Sequence, residues 1–266
     1  CSYDNSEVIM KSKVILVRHG NDDDGLTNHI DGLDGIEPRL SATGYEESLS
    51  AAKTIVDELA LSQYHGRLNI YSSPKIRVAE TTEIITKEIE KSGFRYDLFF
   101  DDRLANPYYG EIQEPNQLSH DDKVKLFRLA WRAFDESCRL KHDFDYRFGT
   151  PYGQYEGLEE FFKAPHGESQ NEICARVCGS LSEILKGTSD CNAVPIVVTH
   201  KTVARDIHGF LIAQETGDIH RADYQIGSLL RHGEVLNVGL NSPDFCIAAI
   251  QANLQRLRTS CRGEKV

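Results

Sequence analysis

Apolar positions along this chain fall into short continuous runs, separated by longer stretches in which they recur every three or four residues. Continuous runs suit strands buried on both faces of a parallel sheet, and the 3.6-residue recurrence marks helices packed on that sheet. The pattern predicts strands at 13–18, 68–72, 98–100 and 193–199, and helices at 43–59, 75–91, 171–186 and 202–213. Strand and helix alternate, so the expected class is α/β, a doubly wound and mostly parallel sheet with helices on both faces. Two later segments, 228–236 and 245–251, read as strands that add edges to the sheet.

The first run, Val14-Ile15-Leu16-Val17, breaks at once into Arg18, His19 and Gly20. Ligands of open α/β sheets collect at the carboxyl ends of the strands, which places these three residues where chemistry is expected. Arginine can grip an anion through two parallel hydrogen bonds, histidine can attack or move protons, and glycine lets backbone approach a ligand. Further on, Ser72-Ser73-Pro74 leads into a helix with Arg77 in its first turn, where a serine cap and an anion at the helix N-terminus are both expected. The run Ile196-Val197-Val198 closes on Thr199, His200 and Lys201, repeating the first pattern. Two strand-end histidines and two arginines can thus converge on one anion.

These motifs resemble those of the histidine phosphatase superfamily, the phosphoglycerate mutase-like fold. The resemblance covers 13–86 and 164–212 and rests on Leu16-Val17-Arg18-His19-Gly20, Leu40-Ser41-Ala42-Thr43-Gly44, Ser72-Ser73-Pro74 with Arg77, Gly167-Glu168-Ser169, and Val198-Thr199-His200, in the family's order. It implies that His19 is the nucleophile, forming a phosphohistidine that water then hydrolyses. Arg18, Arg77 and His200 would clamp the phosphoryl oxygens, and neither a metal nor another cofactor is implied. Asn21, Asn106, Lys201 and Glu168 are expected around the substrate, with Glu168 either complementing a helix dipole or lying near the substrate.

Two departures bear on mechanism. Family members usually carry Leu-x-Glu-x-x-aromatic-Gly, whose glutamate protonates the leaving group, whereas this chain has Leu104-Ala105-Asn106-Pro107-Tyr108-Tyr109-Gly110. An amide cannot give up a proton near neutral pH. Another carboxylate can supply it, with Glu111 the nearest replacement and Asp102 and Glu114 behind it; alternatively the leaving group needs little help, or the protein binds phosphorylated ligands with impaired turnover. The second departure is the run Asp22-Asp23-Asp24 after Asn21. Facing the pocket, it would repel a doubly anionic phosphoglycerate; charge runs usually face solvent, and that reading is taken here.

Composition narrows the rest. At 266 residues and 40% hydrophobic content the chain can bury a sizeable core. The expected division is a core at 11–104 and 166–255, with a mainly helical cap insertion at 105–165 over the site. That insertion holds 12 of the 23 aromatic residues, enough to shape a pocket and set substrate choice. A formal net charge of -11 argues against nucleic acid as partner. No apolar run approaches the ~18 residues of a membrane span. Seven cysteines, an odd count without a CxxC pair, read as reduced thiols rather than a disulfide framework or zinc site.

No secretory signal is visible, and residues 1–9 read as an extension ahead of Met10, or, with Cys1, as the remnant of a processed lipoprotein. The resulting expectation is a cytoplasmic enzyme hydrolysing a small phosphate monoester, with a homodimer compatible. A mutase and a phospho-ligand-binding protein stay open beside it.

Overall fold

The computed structural model describes residues 13–22, 37–108, 113, 119, 121–123, 168, 170–191, 193–216 and 231–239. Strands β1 (Lys13–Arg18), β2 (Arg67–Ser72), β3 (Arg95–Phe100), β4 (Val194–Thr199) and β5 (Val235–Gly239) form one sheet in the order β3-β2-β4-β1-β5. The first four are parallel and β5 is antiparallel to β1. The sheet is therefore mostly parallel, with helices α1 (Ala42–Leu61), α2 (Ile76–Lys91), α3 (Gln170–Cys191) and α4 (Lys201–Thr216) around it.

Alternation along β1 explains why both faces are covered. Ile15 and Val17 pack with Ala51, Ala52 and Ile55 of α1 and with Val78, Ile85 and Ile89 of α2. Val14 and Leu16 pack on the other face with Val177, Leu181 and Ile184 of α3 and with Val203, Ile207 and Leu211 of α4. The chain moves outward through β1, β2 and β3 with α1 and α2 on one face, then turns back through β4 with α3 and α4 on the opposite face. Reversing direction and face together keeps one crossover hand, as parallel βαβ units require.

Most expected elements are present, with informative shifts. Strand β3 starts three residues before the predicted 98, because Arg95, Tyr96 and Asp97 lie on an edge strand that need not be apolar. Helix α3 runs to Cys191 rather than 186. The segment predicted as a strand over 228–236 becomes a strand only at Val235; a turn precedes it, with Gly233 at φ +67°. The predicted strand at 245–251, and all of the 105–165 cap except 105–108, 113, 119 and 121–123, lie outside the described residues. Cys178 is a buried thiol packed in the α3 interface. Among the described residues no helix is long and apolar enough to cross a membrane.

Register sets the site. Arg18 pairs with Thr199 and Ser72 with Val198, so the carboxyl ends of β1, β4 and β2 are level. The ladder continues one residue further, with the His19 N–H donating to the Thr199 carbonyl at 3.0 Å and the Ser73 N–H to the Val198 carbonyl at 3.1 Å. His19, His200 and Ser73 leave three adjacent strands together.

Candidate active site

Arg77, in the first turn of α2, is the hub of this end of the sheet. It is 2% exposed, its Nε lies 3.2 Å from His19 Nε2, and its Nη2 lies 2.9 Å from His200 Nδ1. A guanidinium only donates, so both ring nitrogens accept from it. The other ring positions follow. His19 Nδ1 lies 2.7 Å from the Gly20 carbonyl, which only accepts, so Nδ1 carries the proton and Nε2 keeps its lone pair. His200 Nε2 lies 3.1 Å from the Ser73 hydroxyl and carries the proton of that ring. The two rings meet edge to face with centroids 5.2 Å apart.

Burial, and after it the Arg77 guanidinium, hold His19 well below the usual histidine range; Arg18 and His232 act in the same direction against the Gly20 carbonyl. His200 is likewise held well below it, by burial first and then by Arg77. Both rings are neutral near neutral pH, the state in which His19 Nε2 can attack an electrophile.

The loop after β1 is fixed by packing against α1. Ser41 caps α1 by accepting from the Gly44 N–H at 2.9 Å, and its own N–H donates to the Asn21 carbonyl at 3.0 Å. The Gly20 N–H donates to Thr81 at 3.1 Å, and the Asn21 N–H to Glu47 at 2.7 Å. This is the physical role of the Leu40–Gly44 motif: it seats the residues that follow His19.

Beside Arg77 opens a cavity of about 320 Å³, lined by Lys75, Arg77, Asn106, Tyr108, Glu168 and Arg176 among others. Arg176 donates to both Glu168 oxygens, at 2.7 and 3.0 Å, and to the Asn106 carbonyl at 3.3 Å. Glu168 also accepts from the Tyr108 N–H at 2.9 Å. The carboxylate thus stands in the cavity wall and pins the loop that carries Asn106. Glu37 bonds Lys75 at 2.5 Å and the Ile76 N–H at 3.2 Å. Against the burial that would raise it, Lys75 and that N–H hold the Glu37 carboxyl below its usual value.

The sequence-predicted Arg18, His19, Arg77 and His200 thus converge. Asn21 follows them directly, with its amide oxygen buried and without a hydrogen-bond partner among the described residues. Asn106 and Glu168 line the adjoining cavity, whereas Lys201 opens α4 beside His200 and does not line it. Glu111 and Glu114 lie outside the described residues.

Three expectations need correction. Asp22 does not face solvent: its carboxylate is 3.4 Å from Arg77 Nε and 15% exposed, because a buried guanidinium attracts the nearest anion. The Lys75 side chain at the α2 N-cap makes no capping hydrogen bond; Ser73 Oγ accepts from the Lys75 N–H only at 3.4 Å while it meets His200 Nε2 at 3.1 Å, and the distant Glu37 carboxylate meets the Ile76 N–H. His232, taken only as part of a strand, is a site residue: its Nε2 lies 2.5 Å from Arg18 Nη2, and its ring centroid is 5.6 Å from that of His19. Its one sequence signal is position, since an antiparallel neighbour of β1 starts at the carboxyl end of β1.

Comparison with known proteins accords with this geometry. Residues 14–143 match the histidine phosphatase superfamily (branch 1). Mycobacterial hydrolase 1 superposes with a TM-score of 0.52 at 17% identity, over 85% of this chain and 88% of its own. Mycobacterial glucosyl-3-phosphoglycerate phosphatase, solved with VO3, gives 0.52 at 17% identity over 85% and 90%, and mycobacterial hydrolase 2 gives 0.50 at 16% identity over 91% and 97%. At these identities the likeness is one of fold. No curated protein sequence matches the chain. The match runs from β1 through α2 and takes in His19 and Arg77 at the sheet edge, so the matched segment, residues 14–143, is identified with the histidine phosphatase superfamily.

Proposed function

We propose that this protein is a phosphatase that hydrolyses a small phosphate monoester through a phosphohistidine at His19, without a metal ion. The observation that carries the reading is the His19 ring itself: Nδ1 tied to the Gly20 carbonyl, and Nε2 unprotonated and aimed at Arg77 Nε. A phosphoryl group entering between them would bring phosphorus to Nε2 and its oxygens to Arg77 and Arg18. Charge on the three equatorial oxygens is the main demand of such a transition state, and guanidinium groups meet it in a site where water is scarce. His200, neutral with its Nδ1 accepting from Arg77, orients that guanidinium and lies beside the reacting ring.

The test is turnover of an aryl phosphate in the presence of a metal chelator. Wild-type protein should release phosphate and His19→Ala should not; chelator-sensitive turnover, or turnover retained in His19→Ala, refutes the proposal.

A further inference from the structure

Breaking a phosphate ester of a poor leaving group calls for a proton on the departing oxygen, and position 106, where the family pattern carries a glutamate, holds an amide. Several described carboxylates near the site hold backbone in place: Glu37 accepts from the Ile76 N–H, Glu47 from the Asn21 N–H, and Glu168 from the Tyr108 N–H. Asp22 is placed differently. Its Oδ2 is 3.4 Å from Arg77 Nε, and that same nitrogen is 3.2 Å from His19 Nε2. Carboxylate and nucleophile therefore share one donor at the point where a phosphoryl group would sit. The backbone holds Asp22 there, through its bridge to Leu40 and through the Leu40 N–H, which Glu80 accepts at 2.8 Å.

We propose that Asp22 is the general acid and base of this site, doing the work that position 106 cannot. The inference rests on the phosphatase reading. Among the described residues, the charged and titratable groups around Asp22 include Arg77 from α2, His19 from the end of β1, Glu47 of α1 at the neighbouring Asn21 N–H, and Glu80 of α2 at the N–H of its bridge partner Leu40. With the site free of phosphate, Arg77 favours the ionised carboxylate. An arriving phosphate ester takes over the guanidinium and sets its own negative charge beside Asp22, which favours the protonated carboxyl.

As the bond from His19 Nε2 to phosphorus forms and the ester P–O bond breaks, the Asp22 proton passes to the departing oxygen. A neutral alcohol leaves, and Asp22 is ionised. In the second step a water oxygen bonds to phosphorus, its proton returns to Asp22, and the N–P bond breaks. Inorganic phosphate and neutral His19 result, with Asp22 ready for the next cycle.

Two measurements on Asp22→Asn test this, with Glu111→Gln as the rival. The first compares kcat/KM, which reads only through cleavage of the ester P–O bond, for an aryl phosphate, whose leaving group needs little protonation, with kcat/KM for an alkyl phosphate. Asp22→Asn should lose about 100-fold or more on the alkyl ester and only a few-fold on the aryl ester. Equal losses on both esters, or the ester-selective loss appearing in Glu111→Gln instead, overturn the assignment.

The second counts protons taken up on binding inorganic phosphate, by calorimetry in buffers of different ionisation heat, at a pH where phosphate is dianionic. Wild type should take up close to one proton more than Asp22→Asn; equal counts overturn the assignment. The two ideas fail separately, since absence of wild-type turnover on either ester refutes the phosphatase reading, whereas the proton count reports on Asp22 without any turnover.

Discussion

Gly20 and Gly44 meet backbone to backbone: a methyl group on Gly20 would overlap the Gly44 carbonyl oxygen and stand 2.6 Å from the Ser48 hydroxyl, and one on Gly44 would overlap the Asn21 carbonyl. The loop that presents His19 is thereby pressed onto the first turn of α1. Neither obstacle is a flexible side-chain tip, so the backbone must give way. Gly20→Ala and Gly44→Ala should each destabilise the fold by about 1–3 kcal/mol, as overpacking does. Urea unfolding measures this loss, and a fall in turnover of the surviving folded fraction would show that the His19 loop has moved as well.

Arg77 donates to both imidazoles and meets Asp22, so its removal strikes three partners at once. Arg77→Ala should lower kcat on an aryl phosphate about 100- to 1,000-fold, the cost typical of losing one preorganised donor to a transition-state oxyanion. Arg77→Lys should restore little. An ammonium lacks the planar fork that serves His19 through Nε and His200 through Nη2. Steady-state kinetics of the two variants decide the point, and near-wild-type activity in the lysine variant would count against the clamp.

The same burial makes stability depend on pH. His19 and His200 have pKa values held below the 6.5 of an unfolded histidine, by burial and then by Arg77. Between the folded value and 6.5 the unfolded chain binds more protons, so stability is fully present above pH 6.5 and is lost as pH falls toward the folded values. Each ring contributes at most about 1.4 kcal/mol per pH unit. Denaturant midpoints measured from pH 7.5 down to 5.5 should fall, and the slope should be shallower in His200→Gln. A midpoint flat across this window would mean that the rings are not buried neutral.

Much of this arrangement is legible in the sequence where the signal is local. Val14 to Val17 announce a buried strand, and the abrupt change to Arg18 and His19 marks the strand end where ligands gather. Motif spacing likewise singles out Glu168 and Asn106, which line the cavity beside Arg77. What escaped is set by tertiary contact. Asp22 sits in an acidic run that reads as solvated, and only the position of Arg77, 55 residues on, turns it inward. His232 has no local pattern; it reaches the site because the turn before β5 bonds back to β1, with the Gly233 N–H donating to the Arg18 carbonyl at 3.1 Å. The apolar pattern marks only the last three residues of edge strand β3, because Arg95 and Asp97 at its start are charged.

Glu168 and Arg176 form the wall that carries Asn106, and that coupling can be separated from chemistry. Glu168→Ala removes the acceptor of the Tyr108 N–H and leaves Arg176 without its carboxylate, at a cost of about 1.5–3 kcal/mol for hydrogen bonds to charged groups. The expected result is faster hydrogen exchange at the Tyr108 amide and a raised KM, with kcat much less affected. Glu168→Gln keeps an acceptor oxygen and should lie between the two.

The most direct test of the central claim is to quench wild-type protein in base during turnover and to map the phosphoryl group by mass spectrometry, since phosphohistidine survives alkali. One phosphoryl group should be found on the peptide containing His19, on that ring, and none in His19→Ala. Steady turnover with His19 unmodified, or a phosphoryl group carried by another residue, would contradict the account.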